Sequence, residues 1–321
     1  MSHVRIFAAA VIIGGAFTAC RPASANDDHL AHMSPGDLAV PVIVTEVLSQ
    51  QATGLPASAN NAAARIAASP RHAEWVKVAW EPGSADSLMA WVVYPSTTQA
   101  RSPVVVVVHE IFGLSTWVRG VADQVAAEGF IAIAPDLNSR VRGGPSTVEL
   151  SSDSARRIIQ GVNSAERNRG ITAVARYAMS HASAAPRYAV IGYCWGGQTV
   201  FMHATNGGTT GFSGGVAYYG LPYMTGQVPN ADSLAKIRTP VMLLNGTRDA
   251  RIGAAMPAID STMKALGKDY SGHNYEGAVH GFLRAQDDPQ ANRDVAAEAA
   301  NLAATKDGWP RTVAFLKRVL R

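Results

Sequence analysis

The residues most suited to chemistry begin with a cysteine. Gly192-Tyr193-Cys194-Trp195-Gly196-Gly197 follows an apolar run, Tyr188–Gly192, and opens a helical pattern. Flanking glycines let a strand turn sharply into a helix and leave the side chain between them protruding as a nucleophile elbow. The sulfur then lies near the positive end of the helix, which favours thiolate, and the Trp195 N–H can face a developing oxyanion. The bland alternative is a buried cysteine in an ordinary tight turn, and the glycines weigh against it. A cysteine nucleophile needs a base and a group that orients the base. Asp249 ends Leu243-Leu244-Asn245-Gly246-Thr247-Arg248-Asp249, just past an apolar strand. His280 lies in Tyr275-Glu276-Gly277-Ala278-Val279-His280-Gly281-Phe282, again just past a strand pattern. His203 and His273 lack that context, and the rival acids Asp260 and Asp269 lie in or after a helical segment. A fourth candidate is Glu110, in His109-Glu110-Ile111-Phe112-Gly113 directly after the run Val104–Val108. A carboxylate at the mouth of a buried strand is costly unless partnered, although it could merely cap the strand end.

Positioning these groups requires strand ends that converge. Trp75–Trp80 and Leu88–Tyr94 read as an edge hairpin turning at Pro82-Gly83. The β-branched Val104–Val108 reads as a strand buried on both faces of a parallel sheet. Alternation follows: a helix over Trp117–Glu128, a strand at Phe130–Ala134, and helices near Val148–Gln160 and Ile171–Ser183. Next come the strand Tyr188–Gly192, a helix from Trp195, and strands at Gly215–Tyr219 and Val241–Asn245. A helix near Ala254–Leu266, a strand at Tyr270–Tyr275 and a last helix at Trp309–Leu320 complete the chain. Short strand–helix connections imply right-handed crossovers and a mostly parallel sheet covered by helices on both faces. Ligands of such sheets bind at the C-terminal strand ends, where all the candidate residues fall. The order nucleophile, acid, histidine is that of the α/β-hydrolase fold. In that fold the loop after the Val strand supplies a second oxyanion donor, here the N–H of Ile111. Pro135-Asp136 after the next strand reads as a turn that pins the chain.

The N-terminus carries a different signal. Arg5 precedes an apolar run, Ile6–Ala19, that is short for a bilayer-spanning helix of about 20 residues. With Ala23-Ser24-Ala25 it reads as a secretory signal peptide over residues 1–25, so export to the periplasm or medium is expected. Phe17-Thr18-Ala19-Cys20 is a competing lipoprotein box that would place a lipid anchor on Cys20. Cleavage after Ala25 removes Arg5 and Arg21 and no acidic residue, which takes the formal charge from +4 to +2. So mild a balance gives no footing for nucleic acid. Two cysteines in the chain exclude a disulfide scaffold, and no zinc-binding spacing is present. An exported protein with Cys194 as its only cysteine calls for a reason. Residues 26–72, rich in Ala, Ser, Asn and Pro, read as a linker or extension ahead of a domain over 73–321.

Taken together, His109-Glu110-Ile111-Phe112-Gly113-Leu114, Ala134-Pro135-Asp136-Leu137, Gly192-Tyr193-Cys194-Trp195-Gly196-Gly197, Asp249 and His280-Gly281-Phe282 resemble the dienelactone hydrolase family. The resemblance runs from about Trp75 to the C-terminus. It implies Cys194 as nucleophile, His280 as base, Asp249 as the acid that orients it, and Glu110 as a carboxylate that modulates the thiol. It further implies hydrolysis of a small-molecule ester or lactone through a thioester, with no metal or organic cofactor. Arg284 matches one of the family's substrate-binding arginines, and the second falls near Arg156 and Arg157. A monomer is expected. The rival readings are a carbohydrate esterase or peptidase on the same fold, or a non-catalytic envelope lipoprotein. The sequence shows no propeller or lid domain of the kind that restricts a peptidase.

Overall fold

The computed structural model describes residues 54–96, 101–146, 151–287 and 295–321. The expected leader, Cys20 and the extension up to residue 53 lie outside the described residues. The strands in chain order are β1 (Ala73–Ala79), β2 (Ser87–Val93), β3 (Ser102–Val108), β4 (Ile131–Asp136), β5 (Ala184–Tyr193) and β6 (Phe212–Tyr218). They continue as β7 (Met224–Thr225), β8 (Val228–Pro229), β9 (Val241–Gly246) and β10 (Tyr270–Tyr275). Eight of them form one sheet in the order β1-β2-β4-β3-β5-β6-β9-β10, and β7 pairs with β8 in a separate ribbon. Only the pairings β1–β2 and β2–β4 are antiparallel within the large sheet. The hairpin read from Pro82-Gly83 is therefore the sheet's antiparallel edge. Trp75 stands opposite Trp91 there, with ring centroids 5.5 Å apart.

Residues Val104–Val108 are all fully buried, as a β-branched run in a central parallel strand should be. The helices are α1 (Ala62–Ala67), α2 (Thr116–Ala127), α3 (Ser139–Arg142), α4 (Ser152–Gln160) and α5 (Ser164–Met179). They continue with α6 (Trp195–Thr205), α7 (Ala231–Ala235), α8 (Ala250–Ala265) and α9 (Val295–Val319). Helices α2, α5 and α6 pack on β3. Their starts are marked by side-chain caps: Ser115 accepts from the Val118 N–H at α2, and Asn163 from the Glu166 N–H at α5. Asp136 reaches the Ser146 N–H and hydroxyl, so it pins the following turn.

Two helices are longer than the periodicity suggests. Helix α5 starts at Ser164 rather than Ile171, because its Asn163 cap precedes a polar first turn with no apolar stripe. Helix α9 begins at Val295, and the expected segment Trp309–Leu320 is only its second half. Pro310, which would naturally start a helix, sits inside this one. Residues 54–71, the described part of the expected linker or extension, pack on the domain: Ala57 and Ala62 are buried, and the Trp117 indole N–H donates to the Ala57 carbonyl over 2.9 Å. Among the described residues no helix is long and apolar enough to cross a membrane.

Candidate active site

Strand β5 runs straight into α6, and Cys194 is the single residue between them. Its φ of 56° and ψ of −113° are unusual for an L residue, a strain of order 1–3 kcal/mol that the surroundings must impose. They do so through close packing. A Cβ on Gly192 would collide with the Gly196 carbonyl, and one on Gly196 would overlap the Val108 and His109 carbonyls. A Cβ on Gly197 would lie 2.5 Å from the Tyr218 carbonyl oxygen. The Cys194 N–H donates to that same oxygen over 3.0 Å, and the Gln198 N–H returns to the Cys194 carbonyl as the first turn of α6. The three glycines thus let helix, strand and neighbouring loop approach to backbone contact, with the half-buried thiol left at the crest.

Two further strand ends bring in the partners. Asp249 follows β9 and caps α8, its Oδ1 accepting from the Ile252 N–H at 3.3 Å. His280 follows β10, and its Nδ1 lies 2.5 Å from Asp249 Oδ2. The two loops are stitched together: the Thr247 N–H donates to the Tyr275 carbonyl and the Arg248 N–H to that of Ala278. His280 also hydrogen-bonds the Cys194 side chain. Burial works against charge on His280, but the sulfur on one side and the carboxylate on the other outweigh it and lift its pKa to about 10. Asp249 is likewise buried, yet the His280 contact, the Ile252 N–H and the nearby Arg251 hold it below the usual carboxylate range. The Asp249 contact therefore favours the protonated imidazole of His280.

Glu110 is almost fully buried at the end of β3, and its Oε2 meets Arg284 Nη1 at 3.3 Å. The partner that a carboxylate at this place requires is therefore Arg284, whose guanidinium also lies 5.4 Å from the Phe112 ring centroid. Ile111 sits in the turn closed by the Gly113 N–H on the Glu110 carbonyl. The His109 side chain fixes this turn. Its Nε2 accepts from the Leu137 N–H, so Nδ1 carries the proton and donates to the Glu110 carbonyl over 2.6 Å. Burial keeps that imidazole neutral. The Trp195 indole lies parallel to the His109 ring at 5.6 Å and carries the Arg167 guanidinium 4.0 Å from its centroid. Arg156 and Arg157 lie in α4, where Arg157 is exposed and donates to Ser154. Of the rival residues, Asp260 bonds the Tyr270 hydroxyl, Asp269 pairs with Arg318, and His203 is enclosed by Tyr188 and Asn168.

A matching profile decides the family. The sequence profile of the dienelactone hydrolase family matches residues 88–320. The chain belongs to the dienelactone hydrolase family. Among its relatives is an Escherichia coli K12 protein provisionally named carboxymethylenebutenolidase, 25% identical over 84% of this chain and 96% of the relative. A Bradyrhizobium protein named as a probable 2-oxo-3-(5-oxofuran-2-ylidene)propanoate lactonase is 27% identical over 76% of this chain and 93% of its own length. The fold is also that of a provisionally named dienelactone hydrolase from Klebsiella pneumoniae, whose crystal structure superposes with a TM-score of 0.61 at 24% identity. That alignment covers 77% of this chain and 99% of the other.

Within this family site, two residues escaped the sequence reading. Tyr219, just past β6, adopts a φ of 41° and places its ring 5.0 Å from His280. Its hydroxyl is buried with no hydrogen-bond partner among the described residues, and burial, with the Glu110 carboxylate nearby, pushes its pKa well above the ordinary tyrosine value. Asn301 in α9 is fully buried, its Oδ1 accepting from the Val279 N–H and its Nδ2 donating to the Ala285 carbonyl. It brackets His280 from both sides in sequence. No motif marks Asn301, whereas the pair Tyr218-Tyr219 ahead of Gly220 at a strand end was a signal available in the sequence.

Proposed function

We propose that this protein is a cysteine-dependent hydrolase of a small-molecule carboxylic ester or lactone. The observation that carries this reading is the contact chain Cys194–His280–Asp249, assembled from three separate strand ends. Cys194 attacks the acyl carbon, and the N–H groups of Ile111 and Trp195 receive the oxyanion of the tetrahedral adduct. A preorganised donor of this kind is typically worth about 10²–10³ in rate. His280 protonates the departing oxygen as the C–O bond breaks, leaving a thioester on Cys194. It then takes a proton from water as that water attacks the thioester, and the thiolate leaves. Asp249 holds the proton of His280 on Nδ1 throughout.

Glu110, through its charge, modulates the nucleophile, and Arg284, still paired with Glu110, would turn its remaining N–H groups to an acidic substrate group. The names of the Escherichia coli and Bradyrhizobium relatives point to lactones of this acidic kind. The reaction as proposed uses side chains, backbone N–H groups and water. The protein is exported, a proposal that rests on the leader pattern before Asn26, and it acts as a monomer. Intact mass of the exported protein separates a chain starting near Asn26 from one acylated on Cys20. The mechanism is tested by alkylation. Iodoacetamide should label Cys194 and abolish p-nitrophenyl acetate hydrolysis in parallel, and labelling without loss of activity would refute it.

A further inference from the structure

Residues 54–71 lie ahead of the family match, yet they make polar contacts on two sides. On one side they hold the loop that follows His280. The Ala59 N–H donates to the Arg284 carbonyl over 3.0 Å, and Gln286 Nε2 donates to the Pro56 carbonyl over 3.1 Å. Ser58 Oγ donates to Asp287 Oδ2 over 2.8 Å, and Asn61 Nδ2 donates to the same oxygen over 3.3 Å. Ser58 is fully buried and Asn61 nearly so. On the other side they hold α2, the helix that follows the Glu110 turn. Ala57 accepts from Trp117, and Gly120 is bare because a Cβ there would stand 3.0 Å from that of Ala57. Arg65 donates to Gln124 over 2.8 Å, and Arg71 grips Asp123 through two nitrogens at 2.9 and 2.6 Å.

The two elements bridged in this way are those that carry the ion pair Glu110–Arg284. The Arg284 loop is built of turns, from Gly281 at φ 76° onward, so its place depends on what it packs against. Asn301 fixes its base at Val279 and Ala285. The N-terminal segment binds the backbone of Arg284 itself from outside the loop.

We propose that residues 56–61 are a positioning strap that fixes Arg284 against Glu110 and thereby sets the reactivity of Cys194. The inference rests on Cys194 being the nucleophile. Around Cys194 stand His280, which hydrogen-bonds it and has Asp249 behind, and Tyr219, on which both Cys194 and the Glu110 carboxylate act, with Arg284 paired to that carboxylate. Arg284 is the cation that offsets the Glu110 charge. Loosening the strap leaves that carboxylate less compensated beside a group that must become an anion, so thiolate formation is disfavoured.

The test compares wild type with Ser58→Ala/Asn61→Ala by the iodoacetamide rate at Cys194 from pH 5 to 9. Thermal unfolding is followed alongside. The expected result is alkylation about fivefold slower or more at neutral pH, with its midpoint moved to higher pH, in line with coupling between groups of one network. In an Arg284→Met background the strap substitutions should add no further change. If the double variant does not fold, Asn61→Ala alone keeps the Ser58 contact and should move the profile in the same direction by less. A strap variant with lowered unfolding temperature but a wild-type alkylation profile would show a purely structural segment and overturn the proposal. Wild-type enzyme that stays active after Cys194 is alkylated would instead refute the nucleophile assignment, a separate outcome.

Discussion

Replacing Asp249 with Asn tests the orienting role of the carboxylate with almost no change of shape. In the structure Asp249 Oδ1 accepts from the Ile252 N–H at 3.3 Å, while Oδ2 faces His280 Nδ1 at 2.5 Å. An asparagine keeps its carbonyl oxygen on the Ile252 donor, because a backbone N–H cannot receive from an amide NH₂. The amide nitrogen then faces Nδ1 as a donor, so Nδ1 must become the acceptor and the proton moves to Nε2. Neutral His280 then carries its proton on Nε2 and cannot take one from the water that attacks the thioester. The expected loss in kcat is about 10³–10⁴-fold, equal to some 4–5.5 kcal/mol of barrier. Steady-state hydrolysis of p-nitrophenyl acetate at neutral pH, with circular dichroism as a folding control, measures it. A folded Asp249→Asn variant within tenfold of wild type would refute the tautomer argument.

The pH dependence of stability follows from the same contacts. His280 has a folded-state pKa raised from 6.5 to about 10, so its charged contacts stabilise the protein fully below about pH 6.5 and are lost as pH rises through 10. The unfolding temperature of wild type relative to His280→Asn should therefore fall across that window, and a constant difference would contradict the ion pairing. Gly196→Ala drives a methyl into the Val108 and His109 carbonyls, and a loss of more than about 3 kcal/mol is expected in urea unfolding. Asn301→Leu leaves the Val279 N–H and the Ala285 carbonyl without their partner, which should cost about 1–3 kcal/mol and lower kcat together with stability. Unchanged unfolding midpoints would count against either packing argument.

What could be read from the sequence was what local chemistry encodes. The Val104–Val108 run specified a central strand because five β-branched residues in succession suit a strand covered on both faces. The elbow was legible because three glycines surround one cysteine, and nothing but backbone contact demands glycine at all three places. Asp249 and His280 stood out because each follows an apolar strand. Pairings across the fold were not legible. Glu110 and Arg284 come from opposite ends of the domain, and no local pattern announces that they meet. Asn301 lies in an alanine-rich stretch whose even polarity hid half of α9. The segment Pro56–Asn61 resembled a linker because its contacts are mostly backbone and small-residue contacts, which composition does not register.

The central claim is a thioester on Cys194. Rapid acid quenching of the enzyme during turnover of p-nitrophenyl acetate, followed by peptide mass spectrometry, addresses it directly. The expected result is an acetyl group on the peptide containing Cys194, formed within one turnover and discharged by hydroxylamine. Turnover with an acetylated serine, or with a Cys194→Ala variant that hydrolyses the ester at the wild-type rate, would contradict it.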